Sequence, residues 1–185
     1  MYLFFDFETT GIGKPITSQR AIQLSWLLCN NNLEKIYTKN YYINNITELN
    51  TEFHKNISIN FLNKIGKDIK EVLELFIKDL NKILLNNGKI IAHNIDFDMH
   101  ILENECKISG INIDINKYKN FLYCTMKNSV EICKLENKNH AGKNKYPKLL
   151  ELYTHFYKEE PEIQLHNAVN DVEILWRCYK ELYKL

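Results

Sequence analysis

The chain has 185 residues, a formal net charge of +1, 45% apolar and 25% charged residues. A chain of this length buries roughly 70% of its unfolded surface, which predicts one domain over residues 1–185 that needs no disulfide or metal to fold. The composition excludes wholesale disorder, and the near-zero net charge leaves any nucleic-acid affinity to a local basic patch or to bound cations.

Residues 2–8 form a short, aromatic-rich apolar run that predicts a buried strand. Residues two apart in a strand share a face, so Asp6 and Glu8 project together while Phe7 points away. Two carboxylates on one face of a buried strand repel unless a cation sits between them, and an unpaired buried charge costs several kcal/mol. Oxygen ligands of this kind select hard divalent ions such as Mg2+ or Mn2+. Thr9-Thr10-Gly11-Ile12-Gly13 then ends the strand with two glycines, which let the backbone turn tightly and approach a ligand. Beside the two acids, that turn reads as the substrate end of a pocket.

Ile22, Leu24, Trp26 and Leu28 alternate with Gln23 and Ser25 and predict a second strand, and residues 36–43 a third, so the chain opens as an antiparallel meander. Ile69, Val72, Leu73, Phe76, Leu80, Ile83 and Leu84 recur at helical spacing, and Asn86-Asn87-Gly88 supplies the stop. Residues 89–92 predict a fourth strand. A helix follows from about Phe97 to near Gly110, with Asp98 in its first turn. His93 and Asn94 at the strand end are candidate hydrogen-bonding supports. Either Asp96 or Asp98 could face a metal, and Asp96 could equally cap the helix. Residues 134–148 are polar and Lys-rich around Ala141-Gly142 and predict an exposed loop. Its lysines, Lys134, Lys138, Lys143, Lys145 and Lys148, read first as solvated and second as phosphate contacts.

His166 and Asp171 are five apart, which on a continuous helix separates them by about 140° and roughly 7.5 Å of rise. Both lean toward one point only if His166 stands in a loop or first turn and Asp171 inside the helix. Val172, Leu175, Trp176, Tyr179, Leu182 and Tyr183 mark that C-terminal helix by an apolar stripe. Together the elements predict an α/β domain whose mixed sheet is flanked by α-helices.

Five cysteines, Cys29, Cys106, Cys124, Cys133 and Cys178, are odd in number and widely spaced, which speaks against a disulfide framework and for an intracellular, reducing compartment, cytoplasm or nucleus. Cys124, Cys133 and His140 match no common zinc spacing. No apolar run approaches the ~20 residues of a membrane span.

Asp6-Phe7-Glu8-Thr9-Thr10-Gly11, His93-Asn94-x-x-Phe97-Asp98 and His166-x-Ala168-x-x-Asp171 resemble, in order and separation, the three motifs of the DEDDh, or DnaQ-like, 3′-to-5′ exonuclease family. Cys124-Thr125-Met126 and residues 146–153 are similar to segments between the second and third motifs of single-domain members. The resemblance implies a ribonuclease H-like fold, assigns Asp98 over Asp96, and marks the histidine branch, because the tyrosine of the sister branch would stand at Asn167. It further implies that Asp6, Glu8, Asp98 and Asp171 hold two Mg2+ or Mn2+ ions and that His166 acts as base. Thr9, Thr10, Gly11 and Ile12 would then meet the terminal nucleotide, supported by His93, Asn94 and Phe97. The expected substrate is the 3′ end of single-stranded DNA, released as nucleoside 5′-monophosphates, with a DNA polymerase or repair protein as a possible partner and proofreading or DNA repair as the setting. An RNA-trimming exoribonuclease of the same family and a non-catalytic module that binds nucleic-acid ends are the alternatives.

Overall fold

The structure is a computed structural model that describes residues 1–11, 15–50, 57–138, 140 and 142–184. Five strands, β1 (Tyr2–Thr9), β2 (Ala21–Cys29), β3 (Lys35–Tyr42), β4 (Lys89–Ala92) and β5 (Leu122–Cys124), form one sheet in the order β3-β2-β1-β4-β5. The first three are antiparallel neighbours, as the opening alternation predicts, while β4 joins β1 and β5 joins β4 in parallel. Parallel pairing requires a crossover, and the helices α1 (Ile59–Ile65), α2 (Ile69–Leu85), α3 (Ile95–Ile108), α4 (Thr125–Asn128), α5 (Val130–Cys133), α6 (Leu149–Tyr157) and α7 (Ala168–Leu182) complete the described helical set.

The period of two in β1 and β2 sorts their side chains onto two cores. Leu3, Phe5 and Phe7 with Ile22, Leu24, Trp26 and Leu28 pack against Val72, Leu73, Phe76 and Leu80 of α2 and against Met99, Ile101 and Leu102 of α3. On the other face Phe4, Leu27 and Cys29 pack with Ile91 against Val172, Leu175 and Tyr179 of α7. Phe4, Asp6 and Glu8 therefore share a face, apolar under the body of α7 and acidic under its first turns. Burying a Phe or Leu here contributes about 2 kcal/mol per side chain, so α7 is held onto the sheet by its apolar stripe and not by the acids.

Several expectations shift at their edges. Predicted to begin near Phe97, α3 starts at Ile95, because Asn94 at φ +71° turns the chain directly off β4. Five of these elements had no predicted counterpart, namely α1 with seven residues, β5 with three, α4 and α5 with four each, and α6 with nine. All five cysteines are free and buried, as the odd count predicts. Among the described residues no helix is long and apolar enough to cross a membrane.

Candidate active site

Carboxylate oxygens of Asp6, Glu8 and Asp171 lie within 4.8 Å of one another at the carboxyl end of β1. Strand geometry supplies the first two, and the α7 stripe that packs on Phe4 and Ile91 brings Asp171 over them. Asp98 arrives from the first turn of α3, 2% exposed, and its Oδ1 accepts the Phe7 backbone N–H at 3.2 Å. It lies outside the three-residue group, yet its charge acts on Asp6. Asp96, two residues earlier, is 67% exposed at its side chain and pairs with Lys127. Consecutive helix residues turn by about 100°, so of these two acids only Asp98 faces the sheet.

Gathering these acids, with no counter-charge among the described residues acting on them, raises all of them. Burial first, then Asp98, Asp171 and Glu8, push Asp6 well above the usual carboxylate range. Burial and the adjoining Asp171 carry Glu8 up to about 8. Asp171 rises to about 6 by burial, although the N–H groups of His166 and Asn167 donate to it. Asp98 is also driven well up by burial, against the Phe7 N–H. Protonation is one relief of such crowding and a divalent cation is the other.

One atom bears on that choice. Asp171 Oδ1 is buried and receives no hydrogen bond from a described residue, whereas Oδ2 accepts the His166 backbone N–H at 3.1 Å. A buried acceptor left open beside two further carboxylates fits a metal ligand, and the all-oxygen donor set fits Mg2+ or Mn2+.

His166 stands just before α7, exposed, with φ +63°, and its backbone N–H meets the acids at Asp171. The expected division, histidine in the turn and aspartate inside the helix, is the one observed. Asn167 is the N-cap of α7, and its Oδ1 accepts the Val169 N–H at 3.3 Å.

The turn after β1 is tightly tied. Thr9 Oγ1 donates to Gln19 Oε1 at 2.8 Å, and Thr10 Oγ1 accepts from the Arg20 N–H at 3.2 Å. Gly11 has φ +124°, and a Cβ there would lie 2.5 Å from Cβ of Asn50, so glycine is required on both counts. Ile12, expected against a base, lies outside the described residues. His93 is half-buried, with Nδ1 3.0 Å from Thr125 Oγ1 and Nε2 3.0 Å from the Pro147 carbonyl, and desolvation lowers it to about 4. Its neutral ring thus ties the end of β4 to the first residue of α4 and to the end of the Lys-rich loop. Asn94 is exposed, and Phe97 is half-buried against the main core. Within the loop, Lys145 is engaged by Glu151.

The contribution of Gln23 had no sequence signal, since in an alternating strand it reads as an ordinary polar position. It is fully buried, it pairs directly with Glu8 across the strands, and its amide reaches the start of α7.

An α/β sheet that ends in a cup of carboxylates beside a rim histidine defines a class, the hydrolases that act on phosphate esters with divalent cations. The family model described as Exonuclease, RNase_T, matches residues 3–179, and the chain belongs to that family of 3′-to-5′ exonucleases. Solved structures of E. coli Exonuclease I in complex with a 5cy-dT13 oligonucleotide and with a dA16 oligonucleotide each superpose with a TM-score of 0.70 at 14% identity. They cover 99% and 98% of this chain and 42% of theirs, and an apo Exonuclease I matches likewise with a TM-score of 0.69. The chain thus spans about two fifths of the length of those proteins, and the likeness establishes the ribonuclease H-like fold. No curated protein sequence matches it.

Proposed function

We propose that the chain acts as one exonuclease domain that removes nucleotides from the 3′ end of single-stranded DNA, releasing nucleoside 5′-monophosphates. The observation that carries this is the cup itself, Asp6, Glu8 and Asp171 within 4.8 Å, with Asp171 Oδ1 open and Asp98 behind. Mg2+ or Mn2+, two ions in this proposal, held by Asp6, Glu8, Asp98 and Asp171, would supply Lewis-acid polarisation of the phosphate and a hydroxide at neutral pH. His166, exposed and one residue before the α7 cap, would accept the proton of the attacking water.

Substrate positioning falls to the backbone of Thr9, Thr10 and Gly11, whose own hydroxyls and φ angle are fixed by Gln19, Arg20 and Asn50. A backbone so held keeps its geometry when a terminal nucleotide enters, which is the requirement for presenting one phosphodiester to the cup. In this proposal Asn94 and Phe97, at the start of α3, would support the terminal nucleotide, while His93 holds the end of β4 through Thr125 and Pro147. Single-stranded DNA is favoured because the similar Exonuclease I structures hold dT13 and dA16 oligonucleotides. Five buried free thiols fit a reducing compartment.

The test is a time course on 5′-labelled single-stranded DNA and matched RNA with Mg2+. A ladder that shortens from the 3′ end on DNA supports the proposal, a ladder on RNA alone moves the substrate class, and intact strands with both overturn it.

A further inference from the structure

The buried amide of Gln23 joins three elements. Its Nε2 donates to Asn40 Oδ1 on β3 at 2.8 Å and to Asn167 Oδ1 at 3.0 Å, while its Oε1 accepts the Ala168 backbone N–H at 3.3 Å. Asn167 Oδ1 also accepts the Val169 N–H, and Asn167 Nδ2 lies 3.5 Å from the Tyr42 hydroxyl oxygen. Both ends of both amides are therefore committed, which fixes which way each points. The cluster sits one strand away from the acids, since Gln23 pairs with Glu8 on one side and with Tyr42 on the other.

The body of α7 does not need this anchor. Val172, Leu175 and Tyr179 pack on Phe4 and Ile91, and that packing places Asp171. The residue before the cap is different. His166 holds a left-handed φ of +63°, a conformation costing roughly 1–3 kcal/mol outside glycine, and its side chain is exposed. Such a backbone persists only when its surroundings determine it. Those surroundings include the Asp171 contact to its own N–H, the Asn170 side-chain amide donating to the Gln164 carbonyl at 2.7 Å, and the Gln23 clamp on the two residues that follow.

Granted the exonuclease activity proposed for this site, we infer that Gln23 is a positioning residue. From β2 it fixes the turn at Asn167 and Ala168 and so holds the His166 ring at the rim of the cup, without touching substrate. A truncated or apolar side chain at position 23 removes the Gln23 bond to Asn167 Oδ1, which keeps only the Val169 N–H, and frees the Ala168 N–H, so the turn then samples other φ values at His166.

The test uses Gln23→Met, which keeps length and volume, beside Asn40→Ala, which breaks only the β3 bond. Amide exchange on metal-free protein reads the clamp directly, whatever the activity. Exchange at Ala168 and His166 is expected to speed roughly 10-fold or more in Gln23→Met and to stay unchanged in Asn40→Ala. On single-stranded DNA, kcat is expected to fall roughly 10- to 100-fold with KM within about 2-fold. The shift in Tm on adding Mn2+ should be retained, because the carboxylates stay in place. In a His166→Ala background the same change should cost little further, since the group it positions is gone. Unchanged exchange at residues 166–168, a lower Tm with kcat intact, full additivity with His166→Ala, or loss of the Mn2+ shift would each overturn the inference. Should Gln23→Met not fold, Asn167→Asp and Asn167→Ala make the same distinction. Asp keeps the acceptor for Gln23 and for the cap and should retain kcat, whereas Ala should lose it with faster exchange at His166. A wild-type protein inactive on every strand, with the exchange result as expected, would remove the proposed activity and leave the clamp standing.

Discussion

Glu8→Gln is expected to stabilise the metal-free protein while it destroys the site. Burial and the adjacent Asp171 raise the Glu8 carboxyl from 4.5 to about 8. An unfolded chain ionises this group above 4.5, whereas the folded protein keeps it protonated until about 8, so folding takes up a proton across that window. A raised folded value means that stability is complete below pH 4.5 and is lost as pH climbs toward 8, at about 1.4 kcal/mol per pH unit. At pH 7 the loss is about 3 kcal/mol. Glutamine has no proton to take up, and its amide N–H can donate to the adjoining Asp171 carboxylate. In EDTA at pH 7 the variant should therefore be more stable than wild type by up to about 3 kcal/mol, or about 6–12 °C in Tm for a domain of this size. The gap should close near pH 4.5. Saturating Mg2+ should reverse the order, because a cation that binds only the folded state stabilises wild type by mass action and the variant lacks one ligand. Thermal unfolding at pH 5, 6, 7 and 8 with EDTA or Mg2+ measures both. A variant no more stable than wild type in EDTA at pH 7, or a gap that does not widen with pH, would refute the crowded-carboxylate account.

Asp98→Asn should abolish nucleotide release from a labelled strand, whereas Asp96→Asn, whose side chain is exposed and paired with Lys127, should retain it, as gel kinetics will read. Gly11→Ala places a methyl 2.5 Å from Cβ of Asn50 at φ +124°, so a stability loss of about 1–3 kcal/mol by urea unfolding is expected, with lower turnover as the Thr9–Thr10 backbone shifts. Asp79 is 1% exposed, and although burial raises it, Lys82, Trp26, Lys39 and Tyr37 lower it from 3.8 to about 2. Its stabilisation is complete above pH 4 and lost as pH falls toward 2, so Asp79→Asn should cost about 2 kcal/mol at neutral pH and flatten the unfolding free energy between pH 4 and 2. Chelation should stop turnover and Mg2+ or Mn2+ restore it, and full activity in EDTA would remove the cation from the proposal.

The order of side chains along the chain determined whatever depends on near neighbours. Alternation in β1 to β3 marked the meander and put Asp6 and Glu8 on one face, and the five-residue spacing of His166 and Asp171 required a turn followed by a helix. The motif residues were legible for the same reason, since each acid is recognised by the residues beside it. Tertiary structure decided what depends on partners far along the chain. β5 is a strand because β4 offers it a parallel edge, and Asp98 rather than Asp96 faces the acids because α3 docks on the main core through Ile95, Met99 and Leu102, the face that carries Asp98. The same holds for Gln23, a common polar residue in an alternating strand until the fold brings Asn167, 144 positions further along the chain, onto it. A hydrogen bond between two amides has no periodicity in sequence, so only the packed sheet and α7 could disclose it.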